Sequence, residues 1–79
     1  MVGSMSTTVV KYWMGLVSLK CEVCSLPLTH RFHDAQLRDF NCWGNVCDRC
    51  HKAYGFGHGT GIGQRYEKQA DGRWLKTKG

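Results

Sequence analysis

The chain has no apolar run long enough to cross a bilayer. The longest candidate, Val9 to Leu19, is interrupted by Lys11, Gly15 and Ser18, which also disqualifies it as the core of a secretory signal. No membrane association is expected, and an intracellular setting follows. Length is scarce too: 79 residues allow one domain at most, and chains below roughly 70–80 residues seldom bury enough apolar area to offset conformational entropy without a metal or disulfide. Some staple is therefore required. Acidic residues are few, 6 Asp and Glu against 11 Lys and Arg, giving a net charge of +5. Five of those bases fall in the last 16 residues. Such a surface favours an acidic partner, either nucleic acid or the acidic face of an enzyme that works on it, although a solubilising tail has the same composition.

An even cysteine count is also missing. Five cysteines fit a disulfide framework poorly and fit four metal ligands plus one spare thiol well. Cys21-Glu22-Val23-Cys24 and Cys47-Asp48-Arg49-Cys50 are two C-x2-C pairs, and two such pairs complete the tetrahedral four-thiolate shell that structural Zn²⁺ prefers. We assign Cys21, Cys24, Cys47 and Cys50 to one structural zinc. A redox role for either pair is weakened because no βαβ pattern surrounds it. Cys42 lies five residues before Cys47 without the two-residue spacing, so it is the spare thiol, and exchange with Cys47 is the alternative. His51, adjacent to Cys50, is awkwardly placed for the same ion.

Met1-Val2-Gly3-Ser4 ahead of Met5-Ser6 reads as an expression scar. Residues 1–6 are set aside as scar and disordered start, 7–77 as a single zinc-bound domain, and 78–79 as a frayed end. Thr7 to Lys20 is rich in β-branched and aromatic residues, which predicts one strand, or two broken at Gly15. Core is the favoured place for Trp13, yet the Tyr12-Trp13-Met14 cluster also has the composition of an interface anchor. After a turn at Ser25–Leu28, Thr29 caps an expected helix through Phe40, with Phe32, Ala35, Leu37 and Phe40 as its apolar stripe. His30 and His33 would sit on its surface. Cys50 to Tyr54 reads as the first turns of a second short helix, ended by Gly55.

Gly55 to Gly63 has glycine at every second place, but no helix follows as a dinucleotide loop demands, and the P-loop spacing is absent. An irregular connector is expected. Gln64–Ala70 and Arg73–Thr77 flank Asp71-Gly72 as in a hairpin, with Tyr66 and Trp74 able to pair across it or pack on the metal module. Arg65, Lys68 and Arg73 on that hairpin, with Lys11, Tyr12 and Trp13 on the N-terminal strand, are the candidate partner contacts. The predicted fold is thus a small α+β, zinc-stapled domain of treble-clef or zinc-ribbon type. It has an N-terminal strand, a central short helix and a C-terminal β-hairpin.

Val46-Cys47-Asp48-Arg49-Cys50-His51-Lys52 resembles the end of HNH-type endonucleases. That resemblance implies a ββα-metal fold with a catalytic His separate from the zinc. His33-Asp34 and Asn41 would have to complete the signature, at a spacing far shorter than the family's. No catalytic residue is assigned, and a nuclease is the weakest of three readings. A second is a nucleic-acid-binding zinc finger, with basic residues interleaved with Tyr66, Trp74 and Phe56.

The third reading rests on the whole chain from about Thr7 onward. Its TTVVKYWMGLVSLK start, its C-x2-C pairs and its RYEKQADGRWLK end resemble small phage-encoded transcription regulators that bind host bacterial RNA polymerase. The resemblance implies a small, non-enzymatic factor in the host cytoplasm, acting as a monomer on the N-terminal part of the β′ subunit. It would inhibit σ-dependent initiation and promote antitermination, with contact to DNA or RNA left open.

Overall fold

The computed structural model describes residues 11–15 and 19–79. The assignments made for residues 1–10 and 16–18, including the scar and most of the first predicted strand, lie outside the described residues. Among those described, four strands and one short helix follow in order: β1 (Arg31–Leu37), β2 (Cys42–Val46), α1 (Asp48–Tyr54), β3 (Gly63–Lys68) and β4 (Trp74–Lys78). The strands form one antiparallel sheet in the order β2-β1-β3-β4. This is the small α+β architecture expected from the sequence.

The helix expected over Thr29–Phe40 is not there: the segment contains β1, one of the two interior strands. Phe32 is buried on one face, and His33, Ala35 and Leu37 are buried on the other. A strand covered on both faces loses the clean polar alternation that identifies a half-buried one, so its apolar residues mimic a helical stripe. Pairing to β2 on one side and β3 on the other decides the matter, since each partner supplies a ladder of main-chain hydrogen bonds. The reversal into β2 was legible in one detail. Asn41 adopts a left-handed φ of 51°, which Asn tolerates better than most residues, and its N–H donates to the Leu37 carbonyl at 3.2 Å.

The C-terminal hairpin forms as expected, with Gly72 at a φ of 89° in the connection. Asp71 rigidifies that turn by accepting from the Arg73 amide at 2.9 Å and from Arg73 Nε at 2.8 Å. β4 continues to Lys78, which pairs with Arg65, one residue beyond the expected boundary. Tyr66 and Trp74 are not directly opposed, because Trp74 faces Lys68 and Tyr66 faces Lys76. Both instead pack on Phe32, with ring centroids 5.2 and 5.0 Å away, and Trp13 closes the group edge-on at 5.2 Å. Phe32 is completely buried as a result.

The N-terminal segment reaches Phe32 along the free edge of β4. Trp13 N–H donates to the Trp74 carbonyl at 2.9 Å, Lys76 N–H donates to Lys11 at 2.8 Å, and Tyr12 bridges Leu75. That short pairing covers an edge otherwise open to association.

Two measurements test this arrangement. Phe32→Ala removes the ring that three other aromatics surround, and should cost about 3–5 kcal/mol in chemical denaturation, whereas Met14→Ala, at a residue 86% exposed, should leave the midpoint unchanged. Asp34, on β1, has its carboxyl pushed up by burial and by the charge of Glu22. A raised carboxyl favours the protonated folded state, so its ionisation opposes folding above the ordinary carboxylate range and ceases to do so below it. Asp34→Asn should therefore stabilise the protein at pH 7, with the gain disappearing in acid; equal stability at pH 7 would contradict this.

Candidate metal centre and charged edge

Two backbone features bring the four predicted cysteines together. Cys21 and Cys24 lie in a tight turn in which the amides of Val23 and Cys24 approach Cys21 Sγ at 3.4 and 3.5 Å. Cys47 is the N-cap of α1 and Cys50 lies in its first turn, with Cys47 carbonyl accepting from the His51 amide at 2.9 Å. The turn is held to β2 by a pair of contacts. Glu22 N–H donates to the Asn45 carbonyl at 3.0 Å, and Glu22 Oε2 accepts from the Asn45 amide at 2.7 Å.

The four Sγ atoms lie within 4.8 Å of one another. Cys24 and Cys47 are 3.7 Å apart, close to the edge of about 3.8 Å in a tetrahedron with metal–sulfur bonds of about 2.3 Å. The site therefore has both the donors and the spacing to hold a metal ion. Cys42, exposed at the start of β2 and paired with Leu37, is not among these ligands.

The electrostatics of the cluster are divided. A hydrogen bond from the Leu26 amide, working against burial, lowers the Cys24 thiol to about 6. Burial raises Cys21, but the amides of Cys24, Cys47 and Val23 outweigh it and bring its thiol below the ordinary value. Burial pushes Cys47 up, and burial with the neighbouring sulfurs pushes Cys50 far higher. Two thiolates are thus favoured and two further ionisations resisted. A divalent cation removes that resistance, because its field stabilises every thiolate at once.

A second cluster was not anticipated. His33 on β1, His51 on α1 and His58 in the glycine-rich connector each place a ring nitrogen within 4.8 Å of the others. His33 and His51 are buried and stack with centroids 4.3 Å apart, and His51 stacks with His58 at 4.5 Å. The surface position expected for His33 is therefore corrected: once β1 is a strand, the two-residue period places His33 on the face it shares with buried Ala35 and Leu37. His30 does remain exposed. The connector is irregular as expected, with positive φ at Gly57, Gly59 and Gly61. Of the residues offered for the nuclease signature, His33 and Asp34 lie in the body of β1 and Asn41 in the β1–β2 turn.

The candidate partner contacts divide by position. Lys11 is exposed, and Tyr12 lies beneath Arg73, whose guanidinium carbon is 4.1 Å from the ring centroid. Lys68 is exposed with its ammonium 5.9 Å from the Trp74 ring. Trp13 instead directs its ring to Phe32 and Tyr66. Arg65 is half-buried, donating to Thr77 Oγ1 at 2.9 Å and lying 3.6 Å from Glu67. The strand and the hairpin, alternatives in the sequence, are thus neighbours on one edge.

Compared with known proteins, the chain matches no family, no curated protein and no solved structure. Among the described residues, no helix is long and apolar enough to cross a membrane.

Removing one ligand should expose the dependence of the fold on this centre. Cys24→Ser, or strong chelation of the wild type, should abolish cooperative unfolding, while Cys42→Ser should leave the transition in place. Calorimetry with metal analysis of the same samples checks both, and a metal-free sample that still melts cooperatively would contradict the assignment.

Proposed function

We propose that this chain is a zinc-stapled protein-binding module that acts as a phage transcription regulator on bacterial RNA polymerase. Zn²⁺ would occupy the Cys21, Cys24, Cys47 and Cys50 site in a structural role, for which a closed four-thiolate shell is suited. In the host cytoplasm the module would dock on the N-terminal part of β′, disfavour σ-dependent initiation and promote antitermination. No catalytic step is assigned to it. The polymerase, the subunit and the two regulatory outcomes come from the resemblance of the chain to small phage regulators.

The observation that carries the binding reading is the convergence of Lys11, Tyr12 and Arg73 at the β4 edge. A cation stacked on an exposed-edge aromatic combines steering charge with an apolar contact surface. Met14, two residues after Tyr12, is 86% exposed and adds apolar surface to the same segment. Lys68 widens its positive field, while Trp13 and Arg65 hold the edge in position from behind. An acidic protein surface that also meets σ and DNA has the complementary charge.

Titration of the labelled protein with the isolated β′ N-terminal fragment should shift amides of Lys11, Tyr12, Lys68 and Arg73. Arg73→Ala should weaken binding about tenfold while lowering the melting temperature only slightly, because its pair with Asp71 is exposed. Shifts confined to β2 and the β1–β2 turn would place the contact elsewhere, absence of any shift would remove the polymerase reading, and tighter binding to duplex DNA than to the fragment would favour the nucleic-acid alternative.

A further inference from the structure

The histidine cluster has no part in the binding reading and is separate from the thiol site. Its three members come from three different segments: the middle of β1, the body of α1 and the Gly55–Gly63 connector. Two of them have one ring nitrogen already engaged. His33 Nε2 is 2.6 Å from Asp48 Oδ1, and His51 Nε2 is 2.9 Å from the Gly57 carbonyl oxygen. Carboxylate and carbonyl oxygens accept, so each histidine carries its proton on Nε2 and keeps a lone pair on its other nitrogen. This is the outer arrangement that orients metal-bound imidazoles, with an oxygen acceptor fixing the tautomer of each ligand.

The remaining geometry also suits an ion. His33 Nδ1 and His58 Nε2 are 3.0 Å apart, a few tenths of an ångström inside the edge of about 3.3 Å expected for a tetrahedron with metal–nitrogen bonds of about 2.0–2.1 Å. Space at the cluster is kept by glycine: a Cβ on Gly55 would lie 2.7 Å from His51 Cδ2, and one on Gly63 would lie 3.5 Å from His51 Nε2. The negative charge nearest the cluster is Asp48, while Arg65 is occupied by Thr77 and Glu67.

We infer that His33, His51 and His58 form a second metal site, for a borderline divalent transition ion such as Zn²⁺, Co²⁺, Ni²⁺ or Cu²⁺, that fastens the glycine-rich connector to β1 and α1. Neutral imidazole is the donor these ions favour, and three such ligands leave a fourth position for water. The site is independent of the thiolate centre, whose ligands contribute nothing to it. Its occupation orders the connector, because His58 is the one ligand carried by that segment.

Untagged, metal-free protein should be titrated with Co²⁺ and separately with Zn²⁺ by equilibrium dialysis. The wild type should bind two equivalents. The first Co²⁺ should give the near-ultraviolet thiolate charge-transfer band, and the second should add visible absorption without increasing that band. Amide signals of Gly57, Gly59 and Gly61 should move only on the second addition. His58→Ala, at a half-buried connector position, should bind one equivalent with the charge-transfer band intact, whereas His30→Ala should still bind two. Saturation of the wild type at one equivalent, or two equivalents retained by His58→Ala, would overturn the inference. Loss of the charge-transfer band alone would count against the thiolate centre and not against this site.

Discussion

Four sulfurs confined within 4.8 Å cannot all ionise without a positive charge among them, and the remaining architecture depends on how that constraint is met. The local amides favour thiolates at Cys21 and Cys24, while burial opposes them at Cys47 and Cys50. A divalent cation reconciles the two halves. Bound there, it would also join parts of the chain that local structure leaves apart: the turn before β1, the end of β2 and the start of α1. In a domain this short, such a junction would stand in for the apolar area that a longer chain buries.

The aromatic core is the second fixed point, and it is small. Phe32 is surrounded by Trp13, Tyr66 and Trp74, so the first described residues and the last strand are both held through one side chain of β1. This packing is what aligns Lys11 and Tyr12 with Arg73. The proposed contact edge is thus a consequence of the core: the ring of Trp13 packs on Phe32 and Tyr66, while Lys11 is exposed and Tyr12 is half-buried beneath Arg73.

Helix α1 serves both clusters with adjacent residues. Cys50 and His51 are consecutive, and successive helical side chains diverge by about 100°, so one is directed to the sulfurs and the other to the imidazoles. The adjacency that made His51 awkward for the thiolate centre is what assigns it to a different group. Asp48 links the two regions further, lying beside the Cys47 cap while accepting from His33 and Arg31.

The sequence by itself determined the features that depend on nearby residues. Two C-x2-C spacings identified the cysteines that meet, Asp71-Gly72 marked the hairpin, and the segment ending at Gly55 read as a short helix, because each of these is governed by sterics within a few positions. Only the tertiary structure decided β1 and the histidines. Phe32, Ala35 and Leu37 have a spacing compatible with either period, and the partners that make the segment a strand lie on β2 and on β3, the latter about thirty residues away. His33, His51 and His58 have no shared local spacing, so their convergence follows from strand pairing, helix packing and the path of the glycine-rich connector together.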